Sequence, residues 1–358
     1  MEGQEIEVIL QPAGRLKHFY TNWKTLPFTE GVLHWIRGIK IPFLSKPTQL
    51  SHREKYIPKI PISKLDLYNT EVNNLLTKGA ISKCTYTKDQ FLSPYFLIKK
   101  PDNTYRFVLN LKKLNEFIPV SHFKMESHKT AIKLISPHSC LMKLDLKDAY
   151  FLLPIDPFYR KYFRFVFNNT LYQFNCLPFG LNIAPLIFTK ILKPVVRYLR
   201  ERGVKLVSYL DDWLFIAKSH DECLHFVAMA KDLLGNLGFI INTKKSSIRP
   251  GKEIEFLGFW FDTTSMMLGL PKRKIVATRT LLSKLQNKKY CRIREFASLV
   301  GTLVSICPAF KYGWLHIKPF EVIKQGELKL NQGNFNGKMV IPPILSKEFA
   351  WWKNNLSK

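Results

Sequence analysis

This chain is short of acid. It carries 27 aspartates and glutamates against 55 lysines and arginines, a formal charge of +28, with a pI near 9.8. Such an imbalance biases the chain towards a polyanionic partner, nucleic acid before any other. No lipidation motif and no markedly basic amphipathic terminus supports an anionic membrane surface instead. The six cysteines (Cys84, Cys140, Cys176, Cys223, Cys291 and Cys307) form no CxxC pair. That pattern indicates neither a zinc knuckle nor a disulfide framework, and reduced thiols in an intracellular protein are expected. The nine histidines contain no HExxH, which argues against a histidine-bound metal. No apolar run approaches membrane-spanning length, and the start MEGQEIEVIL carries acids without a basic-then-apolar leader pattern. Internal repeats and low-complexity tracts are missing too.

What is present is a large core. The 358 residues are 46% hydrophobic and 13% aromatic, enough for a multi-lobed enzyme or two to three compact domains. Residues 1–40 mix aromatic and basic residues (Arg15, Lys17, His18, Tyr20, Trp23, Lys24) and read as a folded extension. Pro42, Pro47, Pro58 and Pro61 mark an extended wrap. A helix is expected from Ser63 to Gly79, opened by a capping-box-like Ser63 and Asp66. PYFLIKK (94–100) and YRFVLNL (105–111), joined by Pro-Asp-Asn-Thr, read as a hairpin that gathers Lys99, Lys100 and Arg106.

From residue 141 a regular order follows. LMKLDL reads as a strand, 184–202 as a helix with Pro194 kinking it, 204–217 as a hairpin, and 221–235 as a helix opened by Ser219. FIIN (239–242) and EFLGFWF (255–261) read as two further strands. Strand–helix–strand–strand–helix–strand is the ferredoxin-like arrangement. Residues 271–294 then hold nine lysines and arginines and no acid.

The stretch LVSYLDDWLFIA (206–217) sets Asp211 and Asp212 side by side between apolar runs. Paired aspartates alone suit an ordinary turn. In a ferredoxin-like sheet, however, the first strand lies beside the central hairpin, and Asp145 stands near the end of LMKLDL. Three carboxylates at one sheet edge repel unless cations compensate them. Hard divalent ions with phosphates as further ligands do so, and two ions about 4 Å apart would activate a primer hydroxyl and stabilise a pyrophosphate leaving group.

LDLKDAY (144–150), LPFGLNIAP (177–185), YLDD (209–212) and FLGF (256–259), in this order, resemble motifs A, B, C and E of retroelement reverse transcriptases. SPYFLIKKPDNTYRFVLNLKKLN (93–115) resembles their fingers motifs. AGRLKHFYTNWKTL and HWIRGIKIPF look like the lead-in of DIRS-type retrotransposon polymerases, with gypsy-type elements and hepadnaviral polymerases more distant. The resemblance implies an α+β right-hand polymerase with fingers, a ferredoxin-like palm and a helical thumb. The implied domains are an N-terminal extension (1–55), fingers and palm (56–265), thumb (266–335) and the start of a connection region (336–358).

It further implies an RNA-directed DNA polymerase that extends a primer with dNTPs on an RNA template. Asp145, Asp211 and Asp212 would hold two Mg²⁺ ions, or Mn²⁺ in their place, with the Leu146 carbonyl completing one shell. Lys100 and Arg106 would clamp the triphosphate, Asp148 and Ala149 would offer backbone N–H groups, and Tyr150 would close against a ribose 2′-hydroxyl. Phe179 and Gly180 would pack around the nucleotide and template base, and Leu257 and Gly258 would form the primer grip. Lys244 or Lys245 would protonate the pyrophosphate, and the basic run 271–294 would track the duplex backbone.

Two departures stand out. Asn110 occupies a position where many relatives carry aspartate. The chain stops after Trp351-Trp352, about where relatives begin an RNase H domain, so the expectation is a polymerase unit apart from its RNase H and recombinase regions. The alternative is a catalytically inactive, retroelement-derived nucleic-acid-binding protein.

Overall fold

The computed structural model describes residues 11–49, 56–100 and 102–356. The acidic start, residues 50–55 of the extension, Pro101 of the hairpin turn and the last two residues of the tail lie outside the described residues. The chain divides into two compact units, residues 1–134 with 142–250, and residues 135–141 with 251–358.

In the first unit the N-terminal segment contains short helices α1 (Tyr20–Thr25) and α2 (Leu33–Arg37). It is a folded extension, as the aromatic content suggests: Trp23 is fully buried and its Nε1 donates to the Leu237 carbonyl at 2.9 Å. Helix α3 (Leu65–Thr77) buries Val72 and Leu75 and ends at Gly79, whose φ of 67° a side chain would strain. The expected capping box does not form. A 3₁₀ turn over Ile62–Lys64 precedes the helix, and the side chain of the N-cap residue Lys64 makes no capping hydrogen bond. Asp66 instead lies in the first turn, where an acid suits the positive end of the helix dipole.

Strand β1 (Ile81–Lys83) leads to the expected hairpin of β2 (Tyr95–Lys99) and β3 (Tyr105–Leu109), which pairs Tyr95 with Leu109 and Lys99 with Tyr105. Short helices α4 (Lys112–Asn115) and α5 (His128–Leu134) follow, then β4 (Cys140–Asp145), β5 (Arg164–Phe167) and β6 (Thr170–Phe174). Strands β1, β6 and β5 form one antiparallel sheet. Helix α6 (Ala184–Glu201) is long and buries Ile187, Phe188, Ile191 and Leu192 on one side. Strands β7 (Leu206–Tyr209) and β8 (Asp212–Ala217) and helix α7 (His220–Asn236) complete the unit. Ser219 Oγ accepts from the Glu222 N–H, so this helix does begin at the residue its sequence marks.

The central sheet runs β4-β8-β7, with α6 packed on β7 and α7 on β8. This places the first strand beside the hairpin, as a ferredoxin-like order requires. The fourth strand differs from expectation. FIIN forms a single antiparallel bridge, Ile241 to Leu146, rather than a strand. The reason is local: the Asn242 carbonyl accepts from the Lys245 and Ser246 N–H groups, so the chain turns as soon as it reaches Asp145.

In the second unit EFLGFWF is not one strand. It breaks at Leu257 and Gly258, both left-handed (φ 50° and 75°), into β9 (Glu253–Phe256) and β10 (Phe259–Asp262), with β11 (Met267–Gly269) added outside. Helices α8 (Lys272–Gln286), α9 (Ile293–Ile306), α10 (Gly313–Leu330) and α11 (Ser346–Asn355) surround a core that includes Leu282, Phe296, Leu303, Phe320 and Trp352. Strands β12 (Tyr290–Arg292) and β13 (Lys338–Val340) pair beside it. The basic run thus spans α8, β12 and the start of α9.

Candidate active site

Tyr209 pairs with Asp212, so only Leu210 and Asp211 turn the chain between β7 and β8. Leu210 adopts φ 53°, a conformation that disfavours a branched side chain. The turn is tied to the neighbouring strand: the Leu146 N–H donates to the Asp211 carbonyl at 2.8 Å. Residues 65 positions apart in the sequence are thereby joined at one sheet edge, with Asp145 at the end of β4 and Asp211 at the hairpin tip.

Asp145 is only 5% exposed. Its Oδ1 accepts from Asn242 Nδ2 at 2.7 Å, and its N–H donates to Ser246 Oγ at 3.0 Å. Burial raises its pKa, Asp212 adds to the rise, and Asn242 and Lys245 oppose it. Asp211 is raised as well, first by burial, then by the charges of Asp212 and Asp145. Asp212 lies 2.8 Å from Lys143 Nζ. Both raised carboxylates thus sit where negative charge is crowded and poorly solvated, the condition under which a cation is bound. Among the described residues, no three His, Cys, Asp or Glu side chains converge into a ready-made metal cluster. The donor chemistry nonetheless fits a hard divalent ion, since carboxylate oxygens predominate, with the Asn242 amide on Asp145 and the Lys143 ammonium on Asp212.

Next to this edge stands an aromatic cluster. Asp148 (φ 54°) opens a 3₁₀ turn, Ala149–Leu152, that carries Tyr150. The Tyr150 ring lies 5.5 Å from Phe179 and 5.6 Å from Phe188. Its phenol is pushed up to about 12 by burial, then by Asp211 and Tyr209, with Arg106 opposing. The Arg106 guanidinium lies over the Phe179 ring, 4.5 Å from its centroid. Gly180 has φ 100°, and a Cβ there would approach the Leu109 carbonyl to 2.7 Å, so this glycine is required sterically. The structure therefore gathers Asp145, Asp211, Asp212, Tyr150, Phe179, Gly180 and Arg106. Lys100 lies just past β2, its N–H bonded to the Thr104 carbonyl. Leu257 and Gly258 form their turn within the second unit.

Several supporting residues escape a sequence reading. Asn242 and Ser246 hold Asp145, and Lys143 holds Asp212. Asn115 Nδ2 donates to the Gly180 carbonyl at 2.9 Å while its Oδ1 accepts from the Asn182 N–H, latching the loop that bears Phe179. Asn110 Oδ1 accepts from the Lys112 N–H at 3.3 Å, a short-range turn contact that asparagine makes as readily as aspartate. Lys245 is the member of the Lys244/Lys245 pair whose charge lowers the pKa of both Asp145 and Asp211. Only alternation was available as a signal: Lys143 lies two residues before Asp145, hence on the same face of β4.

Comparison with known proteins matches this geometry. Residues 98–261 match the family model described as reverse transcriptase (RNA-dependent DNA polymerase). The Pol polyprotein of equine infectious anemia virus is 32% identical over 187 residues, 47% of this chain and 15% of that protein. The Transposon Tf2-7 polyprotein of Schizosaccharomyces pombe is 26% identical over 200 residues, 56% of this chain and 15% of that protein. The chain thus spans about 15% of the length of these curated relatives. Among solved structures, the foamy viral protease-reverse transcriptase in complex with ds DNA superposes with a TM-score of 0.67 at 17% identity, covering 99% of this chain and 62% of that one. The same viral protein in complex with an RNA/DNA hybrid gives 0.64 at 18% identity, covering 100% and 48%. The fold is the α+β right-hand polymerase, and residues 98–261 are similar to the reverse transcriptase family.

Proposed function

We propose that the chain is an RNA-directed DNA polymerase of a retrotransposon, extending a DNA primer with dNTPs on an RNA template. The observation that carries this reading is the joining of Asp145 and Asp211 at one sheet edge, two carboxylates whose pKa values are raised by burial and then by the charge of Asp212. Two divalent ions, Mg²⁺ or Mn²⁺, would be held by Asp145, Asp211 and the Leu146 carbonyl, with Asp212 assisting once Lys143 yields. When bound, they supply nucleophile activation and stabilisation of the leaving pyrophosphate.

The chain's own residues do the rest. Arg106, fixed over Phe179, and Lys100 neutralise triphosphate charge, and the N–H groups of Asp148 and Ala149 donate to phosphate oxygens. Tyr150, wedged between Phe179 and Phe188, occupies the space a ribose 2′-hydroxyl would need. Lys245 delivers a proton to the pyrophosphate. Leu257 and Gly258 form the primer grip, and the cations of 271–294 follow the duplex backbone. We assign residues 56–265 to fingers and palm, 266–335 to the thumb and 336–358 to the start of a connection region, and we place the chain with DIRS-type elements on its lead-in motifs.

Primer extension on an RNA template with Mg²⁺ and dNTPs, comparing the parent chain with Asp211→Asn, tests the reading. Extension should fall about 10²–10³-fold in the variant, the scale expected when one preorganised electrostatic group is removed. Salt-sensitive duplex binding without extension by the parent itself would overturn the proposal in favour of an inactive binding protein.

A further inference from the structure

Asp148 is held in a left-handed conformation that no glycine relieves, and something must keep it there. Its carboxylate does not cap the 3₁₀ turn that it opens. Instead Oδ1 accepts from Lys78 Nζ at 2.6 Å, while Oδ2 is buried without a hydrogen-bond partner. The two side chains are 35% and 12% exposed, so the pair is poorly screened. Lys78 is also the C-cap residue of α3, and its carbonyl accepts the Ala13 N–H at 3.1 Å. One residue on, the Gly14 N–H donates to the Phe151 carbonyl at 2.7 Å. A single lysine therefore connects the end of α3, the N-terminal segment and the turn that bears Ala149 and Tyr150.

We propose that Lys78 is a positioning residue for nucleotide binding, which it serves through Asp148. This rests on the polymerase reading above. Asp148 would present its N–H to a triphosphate, yet its own carboxylate is negative and has one oxygen unpaired. Lys78 does two things at once: it neutralises that carboxylate beside an incoming polyanion, and it anchors the turn so that the Ala149 N–H and the Tyr150 ring are set before the nucleotide arrives. Without it a buried charge is left uncompensated, and the strained turn is free to relax.

The test is steady-state extension by the full chain, recording dNTP KM, kcat and the preference for dNTP over NTP. The variants are Lys78→Met, Lys78→Arg, Asp148→Asn and the double Lys78→Met/Asp148→Asn. Lys78→Met should raise dNTP KM roughly tenfold or more, with a smaller change in kcat, the scale at which small misplacements act. Lys78→Arg should restore most of the loss. The double variant should lie closer to the parent than Lys78→Met does, because no unpaired charge remains.

An unchanged dNTP KM in Lys78→Met, or a double variant that merely adds the two single losses, would overturn the proposal. Should Lys78→Met not fold, Asp148→Asn decides: it keeps the shape and removes the charge, and an unaltered KM with unaltered sugar preference would overturn it equally. The reading beneath fails separately. A parent that extends no primer sinks the polymerase assignment, whereas a parent that extends with KM flat across the variants sinks only the role of Lys78.

Discussion

The turn joining β7 to β8 and the turn joining β9 to β10 each contain two residues, and each begins with a leucine at positive φ, Leu210 at 53° and Leu257 at 50°. They diverge at the second position. Gly258 takes φ 75° at little conformational cost, so the second tip uses backbone alone. The first tip spends that position on Asp211, whose carbonyl receives the Leu146 N–H and whose carboxylate feels the charges of Asp212 and Asp145. Charge separates them further. The first tip is crowded with negative groups. The second is covered by Lys274, whose Nζ donates to the Gly258 carbonyl at 3.4 Å and lies 5.0 Å from the centre of the Phe259 ring. Two-residue hairpin turns therefore build a carboxylate-crowded edge in one place and a lysine-covered backbone turn in the other.

The largest consequence concerns divalent ions. Without them, Asp211→Asn should melt at a higher temperature than the parent, because the substitution removes a like charge from a poorly solvated cluster. Adding Mg²⁺ or Mn²⁺ should reverse the order. At a hundredfold excess over Kd, binding to the folded state alone stabilises the parent by about 2.7 kcal/mol. Calorimetry with and without ion measures both. An identical ion-induced rise in parent and variant would show that Asp211 does not hold the ion, and the contrast between the tips would lose its meaning.

A smaller effect probes the backbone. Gly258→Ala should destabilise by about 1 kcal/mol, the order of the left-handed penalty for an L side chain. Its added Cβ meets only the flexible end of Lys274 at 3.4 Å, so sterics contribute little. Gly235, inside α7 with open space around its missing Cβ, provides the control of opposite sign. There alanine should stabilise by roughly 0.5–1 kcal/mol. Urea melts of both variants decide this, and a stabilising Gly258→Ala would mean that the second tip is not held at positive φ in solution.

How much of this was legible in the sequence follows from the range of each interaction. Helix α7 and the hairpins at 95–109 and 206–217 were readable because caps, periods and turn residues lie within a few positions of one another. The fourth strand was misread because FIIN has strand composition, while its pairing is ended by the bonds from Lys245 and Ser246 to the Asn242 carbonyl. EFLGFWF was misread because a run of aromatics conceals a turn that only Leu257 and Gly258 reveal, and leucine is no turn signal. The three aspartates and Tyr150 stood in recognisable motifs. Asn242, Lys143, Asn115 and Lys78 did not, since each acts across 65 or more residues and its side chain type alone announces nothing.

The subtlest test sets the two tips against each other in pH, with chelator present. At the first tip the folded pKa of Asp211 lies above the ordinary 3.8. As pH rises from 3.8 through that raised value, the folded state binds more protons than the unfolded, so this residue makes stability fall. At the second tip burial, with Arg273 nearby, holds Lys274 below its ordinary 10.5. As pH rises through that lowered value towards 10.5, the unfolded state binds more protons, and this residue makes stability rise. Comparing parent with Asp211→Asn in the acid range, and parent with Lys274→Met in the alkaline range, isolates each contribution. The first substitution should flatten a downward slope and the second an upward one. Slopes of one sign at both tips would mean that burial does not set the pKa of at least one of the two groups, since it raises a carboxyl and lowers an ammonium.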